Sequence, residues 1–150
     1  MLKDLLAIEG FDPGTVDVQF VRDFLSSWNK SIPDSSSAMD FMHRTSDIVA
    51  QLNLLYAKCE RFCINAKEWV DAEYATAAIA AVGNSQSAKE KVALTDNTYL
   101  GAVDRYAMAK ASLSLLKGYL EEVIRIHYVC IGILKMDSKA SAAGTNFSEL

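Results

Sequence analysis

Apolar and small residues recur every three or four positions along two long stretches of this chain, each keeping a seven-residue beat. The first carries Phe41, Thr45, Ile48, Leu52, Leu55, Cys59, Phe62, Ala66 and Trp69. The second carries Tyr99, Ala102, Tyr106, Ala109, Leu113, Leu116, Leu120, Val123, His127, Cys130 and Leu134. Steps of three and four without a slip keep one seam of a helix turned toward a partner helix. The polar break Gly83-Asn84-Ser85-Gln86-Ser87 separates the stripes. The pattern predicts an all-α fold, a long antiparallel two-helix hairpin with a coiled-coil-like seam, over about residues 35–82 and 88–136.

End signals support those bounds. Asp34, or one of Ser35, Ser36 and Ser37, can cap the first long helix, which at about 1.5 Å per residue would reach about 70 Å. Ser87-x-x-Glu90 reads as a capping box for the second, and Thr95-Asp96-Asn97-Thr98 as a weak patch where a kink or break is expected. Two short N-terminal helices come first, packed on the hairpin or swapped to a neighbour. One covers about residues 2–9, closed by Gly10 with Phe11 behind it. After the Asp12-Pro13-Gly14 turn, the other covers about 15–29 with Thr15 as its N-cap and Val18, Val21, Phe24, Leu25 and Trp28 on one face. Residues 1–136 form one domain in this reading, and the small, polar segment 137–150 a mobile tail in which Phe147 and Leu150 could dock.

Residues 123–134 are rich in β-branched side chains and could be read as a strand. Helix is the better reading, because a single strand would find no pairing partner. A helix apolar nearly all round must be covered on more than one side, which assigns an oligomer interface to Leu120, Val123, Ile124, His127, Tyr128, Ile131 and Leu134.

Composition narrows the class. The chain has 150 residues, 51% of them hydrophobic, with two prolines, seven glycines and a net charge of -4. That is enough apolar content for a core, few helix breakers, and no global basic field to gather nucleic acid. Three cysteines, an odd number, fit reduced thiols in a cytoplasm better than a disulfide framework. The N-terminus starts no signal peptide, and the longest apolar stretch, which includes Arg125 and His127, is shorter than the roughly 20 residues of a membrane span. A soluble cytoplasmic protein with no membrane partner is expected.

Candidate chemistry is sparse. Cys59 and Cys63 share a helix face, as do His127 and Cys130, and together they suggest a soft-metal site. A hairpin turning at residues 83–87 puts positions adding to about 170 at one height, so the two pairs lie roughly 24 Å apart and read as core residues. The same register places His43 beside His127. Two histidines are too few for a metal, and a satisfied interface histidine, donating to a carbonyl or to Asp40 or Asp47, is the expectation. Glu68, Asp71 and Glu73 lack the accompanying histidines of a di-iron bundle; Asp71 belongs to a solvated face, and Glu73 on the seam would pair with Lys89 or Arg105. No phosphate loop or nucleophile elbow is present. No catalytic residue, metal or cofactor is assigned, and an enzyme is not expected. Lys58, Arg61, Lys67, Arg105, Lys110 and Lys117 cluster along the folded hairpin near Tyr56, Trp69, Tyr99 and Tyr106. Cations interleaved with aromatics suit single-stranded nucleic acid, although Glu60, Glu68 and Asp104 lie among them.

The order of parts resembles small helical proteins of tailed phages. A variable N-terminal region precedes a long helix ending at residues 74–83, and a polar loop leads into Ser87-x-x-Glu90. A helix with Tyr99 and Tyr106 follows, then an apolar terminal segment around Leu113, Leu116, Leu120 and Ile124. Over residues 40–135 this is similar to the UvsY-like recombination mediators. The resemblance implies a ring-forming protein of the host cytoplasm that loads a recombinase onto single-stranded DNA. Two functions are therefore expected: a non-enzymatic, self-associating accessory protein, most specifically such a mediator, or an acidic helical inhibitor or scaffold that binds a protein target as a nucleic-acid mimic would.

Overall fold

The computed structural model describes residues 12–28, 34–80 and 85–145. Among them every regular element is helical: a 3-10 turn Pro13–Thr15, α1 Gln19–Trp28, α2 Ser35–Ala80, α3 Gln86–Ala93 and α4 Asn97–Thr145. The expected helix at 2–9, its Gly10 closure and the turn at 83–84 lie outside the described residues. The all-helical class and the hairpin-like packing of two long helices agree with the sequence pattern, and residues 123–134 are helical.

Several ends differ from expectation. Thr15 closes the 3-10 turn instead of capping α1, and its amide returns to Asp12 O. Asp17 takes the Gln19 amide at 2.9 Å at the start of α1. Asp34 Oδ1 accepts the Ser37 amide at 2.7 Å, as a cap of α2 should. The expected capping box does not form. Ser85 caps α3, accepting the Ala88 amide, and Glu90 receives the Gln86 side-chain amide instead. A break does fall at the weak patch: α3 ends at Ala93, and Asp96 Oδ1 starts α4 by accepting the Thr98 and Tyr99 amides, each at 2.9 Å. The helix end expected near 136 is displaced, with α4 running to Thr145 and exposed from Lys135 through Ser141. Lysine, methionine and alanine favour the helix there, and extending an existing helix needs no new nucleus.

The chain divides into two compact units, Met1–Val16 with Leu55–Leu115, and Asp17–Leu54 with Leu116–Leu150. In the first, α2 and α4 meet through small residues: Cys59, Ala66, Ala102 and Ala109 have no exposed surface. Phe62 packs on Ala66 and Ala109, with Cys63 and Tyr106 at the edge of the cluster. The helix backbones approach closely enough for Cys59 Sγ to donate to Ala109 O at 3.4 Å, and burial pushes that thiol's pKa up. In the second unit the same seven-residue spacing buries Ala38, Thr45 and Leu52 on α2 and Leu116, Val123 and Cys130 on α4. Burying each leucine contributes about 1.5–3 kcal/mol.

Helix α1 closes one flank of this second unit. Its Val21 and Phe24 are buried, Phe24 and Trp28 meet the Phe41 ring edge-on at 5.9 and 5.1 Å, and Arg22 Nε donates to Tyr119 Oη at 3.1 Å. Ile126, one heptad on from Tyr119 and off the main seam, is buried as well. Part of the cover that the all-round apolar segment requires thus comes from the chain itself.

Candidate functional site

Among the described residues, the other flank of the second unit leaves apolar side chains exposed. Between α2 and α4 lies a groove of about 330 Å³ lined by Ser46, Val49, Ile124, His127 and Tyr128. Ile124 keeps 36% of its surface exposed and Tyr128 68%. The groove follows from helix phase. Ile124 and Tyr128 sit one position beyond the seam residues Val123 and His127, so they project to the side that α1 does not reach.

His127 is held from the core side. Its Nδ1 is 2.8 Å from the hydroxyl of fully buried Thr45, and that hydroxyl donates its only proton to Met42 O at 2.7 Å. Thr45 must therefore accept from His127 Nδ1–H, which leaves Nε2 as the acceptor of the neutral ring. The Tyr128 ring meets the imidazole edge-on at 6.1 Å. The expected partners Asp40, Asp47 and a backbone carbonyl are replaced by Thr45, and His43 lies on the exposed face of α2. Arg44 covers the opposite side of α2, stacked over Phe24 and Phe41 at 5.2 and 5.4 Å.

The residues expected at an oligomer interface separate on this geometry. Val123 has no exposed surface and belongs to the internal seam; the seam phase that makes it apolar also turns it inward. Leu120, His127, Ile131 and Leu134 are half-buried, whereas Ile124 and Tyr128 are exposed. Sequence reasoning missed Ser46 and Val49 as the α2 side of the groove, and Thr45 as the partner of His127 behind it. Thr45 carried the signal, being the one hydroxyl in the first apolar stripe and at the height of His127 in the hairpin register.

All six expected nucleic-acid residues are exposed. Lys58, Arg61, Lys67, Arg105 and Lys110 belong to the first unit and Lys117 to the second, where it lies 3.9 Å from Glu121. Two of the cations are engaged with aromatic faces of their own chain. Arg105 stacks over Trp69 at 5.1 Å and Lys110 over Tyr106 at 5.5 Å. Trp69 Nε1 donates to Glu73 at 2.8 Å, so Glu73 pairs with the indole and not with Lys89 or Arg105. Glu60, Glu68, Asp71 and Asp104 are exposed. Among the described residues no three histidine, cysteine or acidic side chains converge as a metal would need, and no helix is long and apolar enough to cross a membrane.

Comparison with family models, with curated proteins and with solved structures finds no match for this chain.

Proposed function

We propose that this chain is a non-enzymatic, self-associating helical accessory protein that binds other macromolecules. The observation that carries the reading is the open groove of the second unit, where Ile124 and Tyr128 stay exposed beside a histidine fixed from behind. Exposed aliphatic and aromatic side chains flanking a shallow apolar groove are the usual anchor of a helix-in-groove contact. A second copy, joining through a coiled-coil-type seam, is the simplest occupant. The finer form of the proposal is a phage-type recombination mediator of the cytoplasm, with Lys58, Arg61, Lys67, Arg105, Lys110 and Lys117 meeting the phosphates of single-stranded DNA.

A second reading, an acidic helical inhibitor or scaffold, draws support from the net charge of -4 and from the engagement of Arg105 and Lys110 with their own aromatic neighbours. Light scattering across a concentration series, with Ile124→Asp beside the wild type, tests self-association. A wild-type monomer at every concentration refutes it. Anisotropy of a labelled oligonucleotide against salt separates the two finer readings. A mediator loses affinity steeply as salt rises and loses binding when Lys58, Arg61, Lys110 and Lys117 are reversed in charge, whereas the inhibitor binds no oligonucleotide.

A further inference from the structure

The first unit holds a second concavity, lined by none of the residues of the groove described above. Tyr74, Glu90, Ala93, Leu94 and Tyr99 line a space of about 360 Å³. The two tyrosine rings stand 5.8 Å apart with their planes tilted by 57°, and the exposed Glu90 lines the space with them. Helix α3 builds the third side. Its buried Ala93 sets the floor, Leu94 ends the helix, and Gln86 donates to Tyr74 Oη and to Glu90 Oε1, each at 3.3 Å.

The electrostatics of this space favour one class of ligand. Aromatic faces carry negative potential, and a cation within about 6 Å of a ring is attracted to it, more strongly where water is displaced. Elsewhere the chain fills such faces itself: Arg44 lies over Phe24 and Phe41, Arg105 over Trp69, and Lys110 over Tyr106. Among the described residues no cation of this kind lies over the Tyr74–Tyr99 pair, and the carboxylate-bearing Glu90 lines the space beside it. Two π faces, an aliphatic floor and one carboxylate suit a bulky, weakly hydrated positive charge better than ammonium or a metal ion, whose hydration shells are too costly to strip for aromatic walls.

We infer that the Tyr74–Tyr99–Glu90 pocket binds an alkylated ammonium head group. The tyrosine faces supply cation–π attraction, Glu90 supplies the countercharge, and Ala93 and Leu94 contact the methyl groups. Both a small molecule such as choline and a trimethylated lysine side chain present this head.

The test uses the full chain, labelled with nitrogen-15 and titrated with choline, with a trimethyl-lysine peptide, and with 3,3-dimethylbutan-1-ol, the uncharged carbon isostere of choline. Choline is expected to shift the amides around residues 90–99 in a saturable way, with the alcohol at least tenfold weaker. Tighter binding of the peptide would assign the head group to a protein partner, and tighter choline binding to a small molecule. Either result supports the pocket. Tyr99→Leu keeps bulk but removes one ring and is expected to weaken choline about 2- to 30-fold. Glu90→Gln, on an exposed side chain, is expected to weaken it several-fold without loss of fold. Equal binding of the alcohol, no saturable shift with either cation, or Glu90→Gln and Tyr99→Leu variants that bind like the wild type would each overturn the proposal.

Discussion

Replacing Tyr128 by serine separates a groove that holds a second copy from one that is merely exposed. Tyr128 leaves 68% of its surface to solvent. A tyrosine buries about 150–250 Å² when fully covered, so roughly 100–170 Å² are available to a partner. At about 25 cal/mol per Å² this is worth at most about 2.5–4 kcal/mol, and about 2 kcal/mol once the hydroxyl is left wet. A two-fold interface contains the side chain twice, so Tyr128→Ser should weaken the dimer by about 4 kcal/mol, roughly a thousandfold in Kd. The fold should be nearly unaffected, because the substitution removes little that the chain itself buries. Sedimentation equilibrium over a hundredfold range of concentration reads the constant directly. Leu54→Ser is the control, since Leu54 is 60% exposed but does not line the groove. Equal loss in both variants would mean that general surface hydrophobicity drives association, and an unchanged Kd for Tyr128→Ser would refute the assignment of the groove.

Three further outcomes follow from the packing. Ala109→Leu forces three more carbons between helices whose backbones are in hydrogen-bond reach of Cys59; it should cost about 1–3 kcal/mol or more, read as a lower Tm in calorimetry, while Lys110→Leu beside it should change Tm little. Asp96→Ala removes the acceptor of two amides at the start of α4 and should cost about 1 kcal/mol in a urea titration. Asp34 is held below its ordinary pKa, chiefly by the Ser37 backbone amide. A depressed folded value gives stabilisation that is present above the unfolded pKa and is lost as pH falls through the folded one. The Ser37 amide should therefore lose hydrogen-exchange protection in acid below about pH 4, and Asp34→Asn should flatten that dependence.

The long helices were legible because their signal is redundant. Phe62, Ala66, Cys59 and Ala109 each keep the seven-residue phase, so losing any one would not hide it. The caps were less so. Ser85 and Ser87 are both capable N-caps two residues apart, and only backbone geometry decides that Ser85 holds the Ala88 amide. The flank covered by α1 was illegible for a different reason. Periodicity shows that residues 123–134 carry apolar surface nearly all round, but not what covers each side. Ile126 is buried whereas Ile124 is exposed, two residues apart and equally apolar. The pairing of Trp69 with Glu73 was open to the sequence, since a spacing of four puts both on one face.

The Thr45–His127 contact bears on why the groove has a fixed lining. A seam made only of alanine, leucine and valine tolerates sliding by one heptad at modest cost, because apolar contacts are not directional. A hydroxyl with no exposed surface, shared between Met42 O and His127, is directional. Sliding α4 by one heptad would take His127 from Thr45, leave the imidazole N–H short of its acceptor in a half-buried setting, and cost about 1–3 kcal/mol. Single polar residues on a helical seam set register in this way. Register in turn decides which residues face the groove: with His127 opposite Thr45, Ile124 and Tyr128 stand beside Ser46 and Val49. Thr45→Val keeps the shape and removes the acceptor, so it should leave helix content unchanged while broadening the His127 and Tyr128 ring resonances in NMR as alternative registers become populated. Sharp, unshifted resonances in that variant would show that the apolar seam alone sets the register.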